Sequence, residues 1–310
     1  MAQALLTRCR VFAAKAEASP GTVETLTDAE GEYNVFNFEM NEETEFNERP
    51  GQGSFSPIIG VPGPRIGRAT FETEVAGAGQ SGGSTDWADV LLVNCGFAVT
   101  GSTFNVVSCP ASEKGLTIGD FQDGRLRRLS GSQGKVTFNF SSGNPVRAAW
   151  EFLGAYEAPS SLAKIEPDYP NVASPRFVSA TATIGGTTFK FSETSLEVEN
   201  GLIIRPDATA ASGIAGALIT NRRIMLTIDP EADAFATKDW NPDWVAGTEA
   251  VIQLVVGTLA NNTITFDLPA AQLMEAPNHG DRDGILIDQL RFQANRSLDV
   301  GDDELVITLS

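Results

Sequence analysis

A chain of 310 residues with 42% apolar and 20% charged side chains can bury a substantial core, so it reads as one large or two ordinary globular domains. No run of about 18 apolar residues is present, and Met1 to Arg10 lacks the apolar stretch of an export signal; a helical membrane span is excluded and cytoplasmic synthesis is expected. The formal charge of −18 opposes any partner held chiefly through phosphates, because such binding needs Lys and Arg to displace counterions.

Cys9, Cys95 and Cys109 share no metal-type spacing, and an odd number cannot complete a set of intrachain disulfides, so reduced thiols are expected. Further along, the segment Glu24 to Glu48 holds nine acidic residues, with no basic residue between Lys15 and Arg49. It reads as a long acidic loop, either solvated or reaching a neighbouring molecule. Period-two or β-branched patterns predict strands over 66–75, 135–140, 148–153, 177–184, 224–228, 251–256, 263–268, 285–292 and 305–309. Strand 135–140 carries no inward-pointing charge of the kind that blocks an edge, so it is open to another chain. Gly185-Gly186, Asn200-Gly201, Asp123-Gly124 and Asp283-Gly284 are placed at tight turns.

Helical pattern occurs once per half. Ser84 to Gly96 starts on the capping types Ser84, Thr85 and Asp86, keeps an apolar face and stops on a glycine. Thr237 to Gly247 also has a tryptophan near its start, with helix expected from Pro242 onward. Between the halves, Ala158 to Pro175 holds four prolines and reads as a linker, which divides the chain into 1–157, 158–175 and 176–310. Both halves are acidic, by about −6 and −12. The matching order of features suggests a duplication: Phe36-Asn37-Phe38 against Phe189-Lys190-Phe191, Arg68 to Glu74 against Arg222 to Asp229, and Gly134 to Phe152 against Gly284 to Ile307.

Catalytic constellations are missing from the pattern. A triad would depend wholly on His279, the single histidine. Asp281-x-Asp283-Gly284 opens like a calcium loop but lacks the downstream glutamate, and Gly77 to Gly83 lacks the lysine of a phosphate loop. Trp87, Trp150, Trp240 and Trp244 are expected in cores or contacts rather than in a sugar platform. The carboxylates Asp239, Asp243, Asp302 and Asp303 are expected on solvated faces. No catalytic residue, metal or cofactor is therefore expected.

The order of features over residues 8–157 resembles that of siphophage tail tube proteins. Lys15-Ala16-Glu17 leads to Gly21-Thr22, then a long loop and the crossing Ile58 to Arg65. Ala69 to Gly77, the helix Asp86 to Leu92 leading to Cys95-Gly96-Phe97, and Asp123 to Leu126 follow. The run closes with Leu129 to Val136 and Trp150 to Tyr156. The second half is similar mainly in layout. The resemblance implies a mainly β fold: two tube-type β-sandwiches, each flanked by a short α-helix, with strands that complete a β-barrel between subunits around a lumen. It implies a structural virion protein made in the host cytoplasm. Its partners would be further copies of itself, tape measure, terminator and distal tail proteins, and DNA in passage, with no membrane.

Assembly contacts are expected from Glu39, Glu42, Glu43 and Glu45 toward Arg49, Arg65 or the cluster Arg125, Arg127 and Arg128. If both halves are tube units, three chains make a pseudo-sixfold ring; the variant is six chains with the second half outside. Readings from other classes are a β-sandwich accessory module of a virion and a polysaccharide hydrolase.

Overall fold

The computed structural model describes residues 5–53, 55–80, 85–109, 114–169, 171–178 and 180–310. The strands up to residue 156 are β1 (Arg10–Ala16), β2 (Val35–Glu42), β3 (Phe46–Arg49), β4 (Ile58–Pro62), β5 (Ile66–Glu74), β6 (Phe97–Thr100), β7 (Thr103–Val106), β8 (Leu116–Gln122), β9 (Arg125–Ser141) and β10 (Arg147–Tyr156). After them come β11 (Ser160–Ser161), β12 (Thr181–Ile184), β13 (Thr187–Thr188), β14 (Glu193–Pro206), β15 (Ile214–Ile228), β16 (Glu249–Val256), β17 (Ile264–Leu273), β18 (Asn278–Arg282), β19 (Ile285–Ala294) and β20 (Val306–Leu309). The protein is mainly β, and apart from the β3–β4 hairpin its strands belong to one 18-stranded antiparallel sheet.

Alternation builds this sheet. In β5, Gly67, Ala69, Phe71 and Thr73 are buried while Arg68, Thr70, Glu72 and Glu74 face the other way. β10 and β9 repeat the pattern with Ala148, Trp150 and Phe152 and with Val136, Phe138 and Phe140 inside. Tight hairpins follow from Asp123-Gly124 (φ 44° and 92°) between β8 and β9, and from Asp283-Gly284 (φ 52° and 85°) between β18 and β19.

Residues 10–156 run in the order β1-β8-β9-β10-β5-β2. Residues 181–294 run in the order β12-β16-β17-β19-β15-β14, and every pair in both runs is antiparallel. β17 and β18 lie along β19 one after the other, so together they occupy the place that the long β9 fills beside β10. In each run the helical segment follows the fifth strand of that order, β5 or β15.

Two junctions merge the runs. The far half of β9 pairs with β14 from Val136↔Val198 to Ser141↔Glu193. At the other side β20 lies between β17 and β7, with Ile307 opposite both Phe266 and Phe104. A single apolar core results: the Phe138 ring lies 6.3 Å from Trp87, 6.4 Å from Trp150 and 5.1 Å from Phe266.

Several expectations change. The stretch 24–48 is not a loop, since β2 and β3 occupy much of it, and Met40 is buried because β2 pairs beside β5 with Met40 next to the buried Ala69. Strand 135–140 is not an open edge, because β10 and β14 flank it. Asn200-Gly201 is not a turn: β14 continues through it with a bulge, and the Asn200 side-chain amide donates to the Cys95 and Gly134 carbonyls, both at 2.8 Å. The strand predicted over 177–184 shortens to β12, and Ser179 lies outside the described residues.

The first helix is a π-helical turn, Trp87–Leu92, followed by a 3₁₀ turn to Cys95. Its wider turn puts Trp87, Leu91 and Leu92 on one buried face. The proposed cap Ser84 lies outside the described residues, while Gly96 takes the expected left-handed conformation (φ 86°). The second helix, α1 (Asn241–Ala246), begins around Pro242 as expected. The third proposed alignment also fails: strand order sets β9 against β17 and β18, and β10 against β19, rather than against residues 284–288 and 305–307.

The proline-rich stretch is strapped to the first run. Ser160 and Ser161 pair with β9, Ile165 packs on the small cluster of Val11, Leu26 and Phe121, and the Ser174 hydroxyl donates to the Val75 and Val146 carbonyls at 2.9 and 3.1 Å.

Because Phe138 touches rings of both runs, Phe138→Ala should cost about 3–5 kcal/mol and lower one common unfolding midpoint. Far-UV dichroism and tryptophan fluorescence should report that midpoint together in a urea titration; a variant that splits the transition into two would show that the runs fold separately.

Candidate assembly surface

Across six strands the face of the sheet turned away from the core is largely polar. One row crosses six strands as Glu74, Arg147, Asn139, Ser195, Thr227 and Arg291. The next runs Glu72, Ala149, Thr137, Glu197, Met225 and Gln293, of which Met225 is buried. Both rows pass through the β9–β14 junction without a break. Ion pairs neutralise much of the charge: Arg147 with Glu72 at 3.2 Å, Lys135 with Glu151 at 3.3 Å, Arg68 with Glu43 at 2.7 Å and also with Glu151, and Arg291 with Glu275 at 3.2 Å. Such exposed pairs add little stability singly, so they set the charge pattern of the face more than its strength.

The residues proposed for assembly scatter into separate intrachain contacts. Arg65 forms a two-pronged bond to Glu42 at 2.7 and 3.2 Å and lies over the Tyr156 ring. Its hydrogen bond holds the Glu42 carboxyl below the usual carboxylate range. Glu43 meets Arg68, an arginine outside the proposed assembly set. Glu39 is exposed on β2 opposite Thr70; Glu45 is exposed and its backbone carbonyl accepts from the Gly63 N–H at 2.8 Å; Arg49 reaches the Ile59 carbonyl at 3.5 Å. The arginine cluster divides. Arg125 is exposed beside the β8–β9 turn, the Arg128 carbonyl accepts from Glu157 N–H, and Arg127 turns inward.

Arg127 meets Asp120, a fully buried carboxylate that also takes a two-pronged bond from Arg10 at 2.6 and 3.0 Å. The remaining N–H groups of the two guanidiniums reach the outer edge of β2: Arg10 donates to the Phe38 carbonyl at 2.5 Å and Arg127 to the Met40 carbonyl at 2.9 Å. One buried charge is thus compensated by two cations, and the cations cover strand-edge acceptors. The signal available in the sequence was an aspartate between Ile118 and Phe121 in a stretch with no other charge, Leu116 to Gln122.

Other edges differ. Among the described residues, β18 has backbone strand pairing on one side alone, to β19. A groove of about 1000 Å³ opens on the polar face near it, lined by Asn139, Arg147, Ser195, Asp229 and Arg282 among others. The β3–β4 hairpin stands outside the main sheet and exposes Phe46, Phe55, Ile58, Ile59 and Val61. His279 Nδ1 lies 2.9 Å from the Asp288 carboxylate, whose other oxygen accepts from the Trp240 indole at 3.2 Å, so the histidine secures the β18–β19 hairpin over the core.

Asp86, just before the π-helical turn, stands beside Glu32, Asp89 and Glu30. Burial first, and repulsion from those carboxylates second, raises its carboxyl from 3.8 to about 6. The folded state therefore holds this proton more tightly than the unfolded chain, and stability falls as pH rises from about 4 through 6. Asp86→Asn should add about 1 kcal/mol at pH 7.5 after allowance for solvent screening, and the gain should vanish below about pH 4. Denaturant midpoints of both proteins at the two pH values measure it.

A family model described as phage tail tube protein matches residues 9–294, nearly the whole chain. No curated protein sequence matches it. The chain belongs to the family of phage tail tube proteins.

Proposed function

We propose that this structural phage tail tube protein fills two tube places per chain, so that three chains close one ring of pseudo-sixfold symmetry, and that stacked rings enclose a lumen for DNA. The observation that carries the reading is the repeated strand order, β1-β8-β9-β10-β5-β2 and β12-β16-β17-β19-β15-β14, with the two runs joined edge to edge at β9 and β14. On this reading 10–156 and 181–294 are the two tube units and the strapped segment between them is their linker. A head-to-tail contact of this kind generates a ring when the rotation between successive units divides the circle evenly. The reading has no catalytic role in it, and partners at the ends of the tube would be other tail proteins.

The polar face supplies the lumen. Its lysines and arginines are mostly held by glutamates, and Glu193, Glu197 and Glu199 of β14 add negative charge. A polyanion sliding past such a wall finds few free cations to displace its counterions.

Native mass measurement of an isolated ring is expected to give three chains. Six chains would favour the variant in which the second run decorates the outside; discrete monomers under all assembly conditions would favour an accessory module instead. The continuity of the sheet through β14, β15 and β19 supports the first arrangement.

The β3–β4 hairpin is the part suited to contact the next ring, because it leaves the sheet and carries exposed apolar side chains. Its ends meet at the bond from Gly63 N–H to the Glu45 carbonyl, 2.8 Å, so the hairpin can be excised without touching β2. Joining Glu45 to Gly63 should leave a folded protein that forms single rings and few long tubes in negative-stain images. Tubes of unchanged length would remove the hairpin from the contact.

A further inference from the structure

The tryptophan at the helical segment lies against Phe138 on β9 in one run, and in the other bonds Asp288, which stands opposite His279 on β18. Phe138 is opposite Ala148, so Phe138 corresponds to His279 and Ala148 to Asp288. Two residues on, Trp150 faces Phe71 and Leu290 faces Ile228. One strand further, Ala69 faces Met40 and Leu226 faces Leu196. Met40 on β2 therefore corresponds to Leu196 on β14, the residue paired with Phe138 across the internal junction.

The edge that β9 fills on β14 has, among the described residues, no strand on β2, where the Phe38 and Met40 carbonyls are covered by Arg10 and Arg127. The edge that β14 fills on β9 likewise has no strand on β18 among the described residues. One chain thus carries one copy of each half of the same junction, at opposite ends of its sheet, and a strand edge of this kind pairs with another chain unless it is guarded.

We propose that β18 of one copy takes up β2 of a second copy, antiparallel, with Met40 opposite His279, Asn41 opposite Asn278 and Glu39 opposite Gly280. The pairing rests on the three-chain ring reading and names its seam. In that register the polar rows continue from chain to chain: Asn41 and Asn278 stand where Glu197 and Thr137 pair inside the chain, and Glu39 comes diagonally within reach of Arg282. The guanidiniums of Arg10 and Arg127 keep Asp120 and give up the two carbonyls of β2 to the incoming strand. Until then they guard the edge and oppose pairing outside a ring.

Residues directly opposite on antiparallel strands have Cβ atoms about 4.5–5.5 Å apart, near the reach of a disulfide. In a background of Cys9→Ser and Cys109→Ser, Asn41→Cys with Asn278→Cys should give covalent dimers and trimers after oxidation of assembled rings, and each single variant should give none. Thr137→Cys with Glu197→Cys, the same junction within one chain, should crosslink as a monomer of altered mobility. Rings that form and crosslink internally, yet yield only monomer from the Asn41 and Asn278 pair, overturn the seam and leave the ring reading standing. Wild-type protein that never leaves the monomer overturns the ring reading, and the seam with it.

If the cysteines block assembly, amide hydrogen exchange on the wild-type protein decides. Amides of Asn278–Arg282 should exchange at least about tenfold more slowly in tubes than in monomers, whereas those of β14 should be protected in both. Equal rates at 278–282 in the two states overturn the seam.

Discussion

Strand β9 has partners on both sides for most of its length, β10 along one edge and β8 followed by β14 along the other. Its hydrogen-bond ladder is what holds residues before and after the proline-rich segment in one sheet, and its inward side chains Val136, Phe138 and Phe140 form the packed boundary between them. Backbone groups buried at such a boundary must be paired, so the ladder also fixes register. With register set, every other face follows. Polar side chains of five further strands line up with those of β9, and the core forms on the opposite side.

The same constraint explains where charge is tolerated. Asp120 is fully buried on β8, a strand covered on both faces, and it persists there because two guanidiniums satisfy it. Those cations lie against an edge strand, and this couples a buried charge to the protection of an unpaired ladder. On the polar face, by contrast, carboxylates and cations pair in solvent, where the interaction is weak and reversible. A surface of this kind presents little free positive charge to a polyanion.

Strand content was legible wherever alternation was strong, as in β5, β9, β10, β16, β17 and β19, because a half-buried strand leaves a period-two trace. The family was legible from serial order alone, and the match over residues 9–294 agrees with it. The acidic stretch misled because charge on the polar face of β2 looks the same as charge on a loop; its inward residue Met40 was the contrary signal. Asn200-Gly201 misled for a local reason, since a dipeptide suited to a turn also suits a bulge whose asparagine bonds two carbonyls. The intrachain partners of Arg65 and Arg127 were not legible, because strand neighbours far away in sequence set them.

What the sequence determined by itself was the class of structure: composition, alternation and turn dipeptides define a mainly β chain. What the tertiary structure decided was which edges meet. Pairing of β9 with β14 and of β7 with β20 joins residues far apart in the chain, and no local periodicity encodes a partner at that distance. Hydrogen bonding between strands uses backbone groups common to nearly all residues, so the choice of neighbour depends on which apolar faces must share one core. That choice is made only when the whole chain packs.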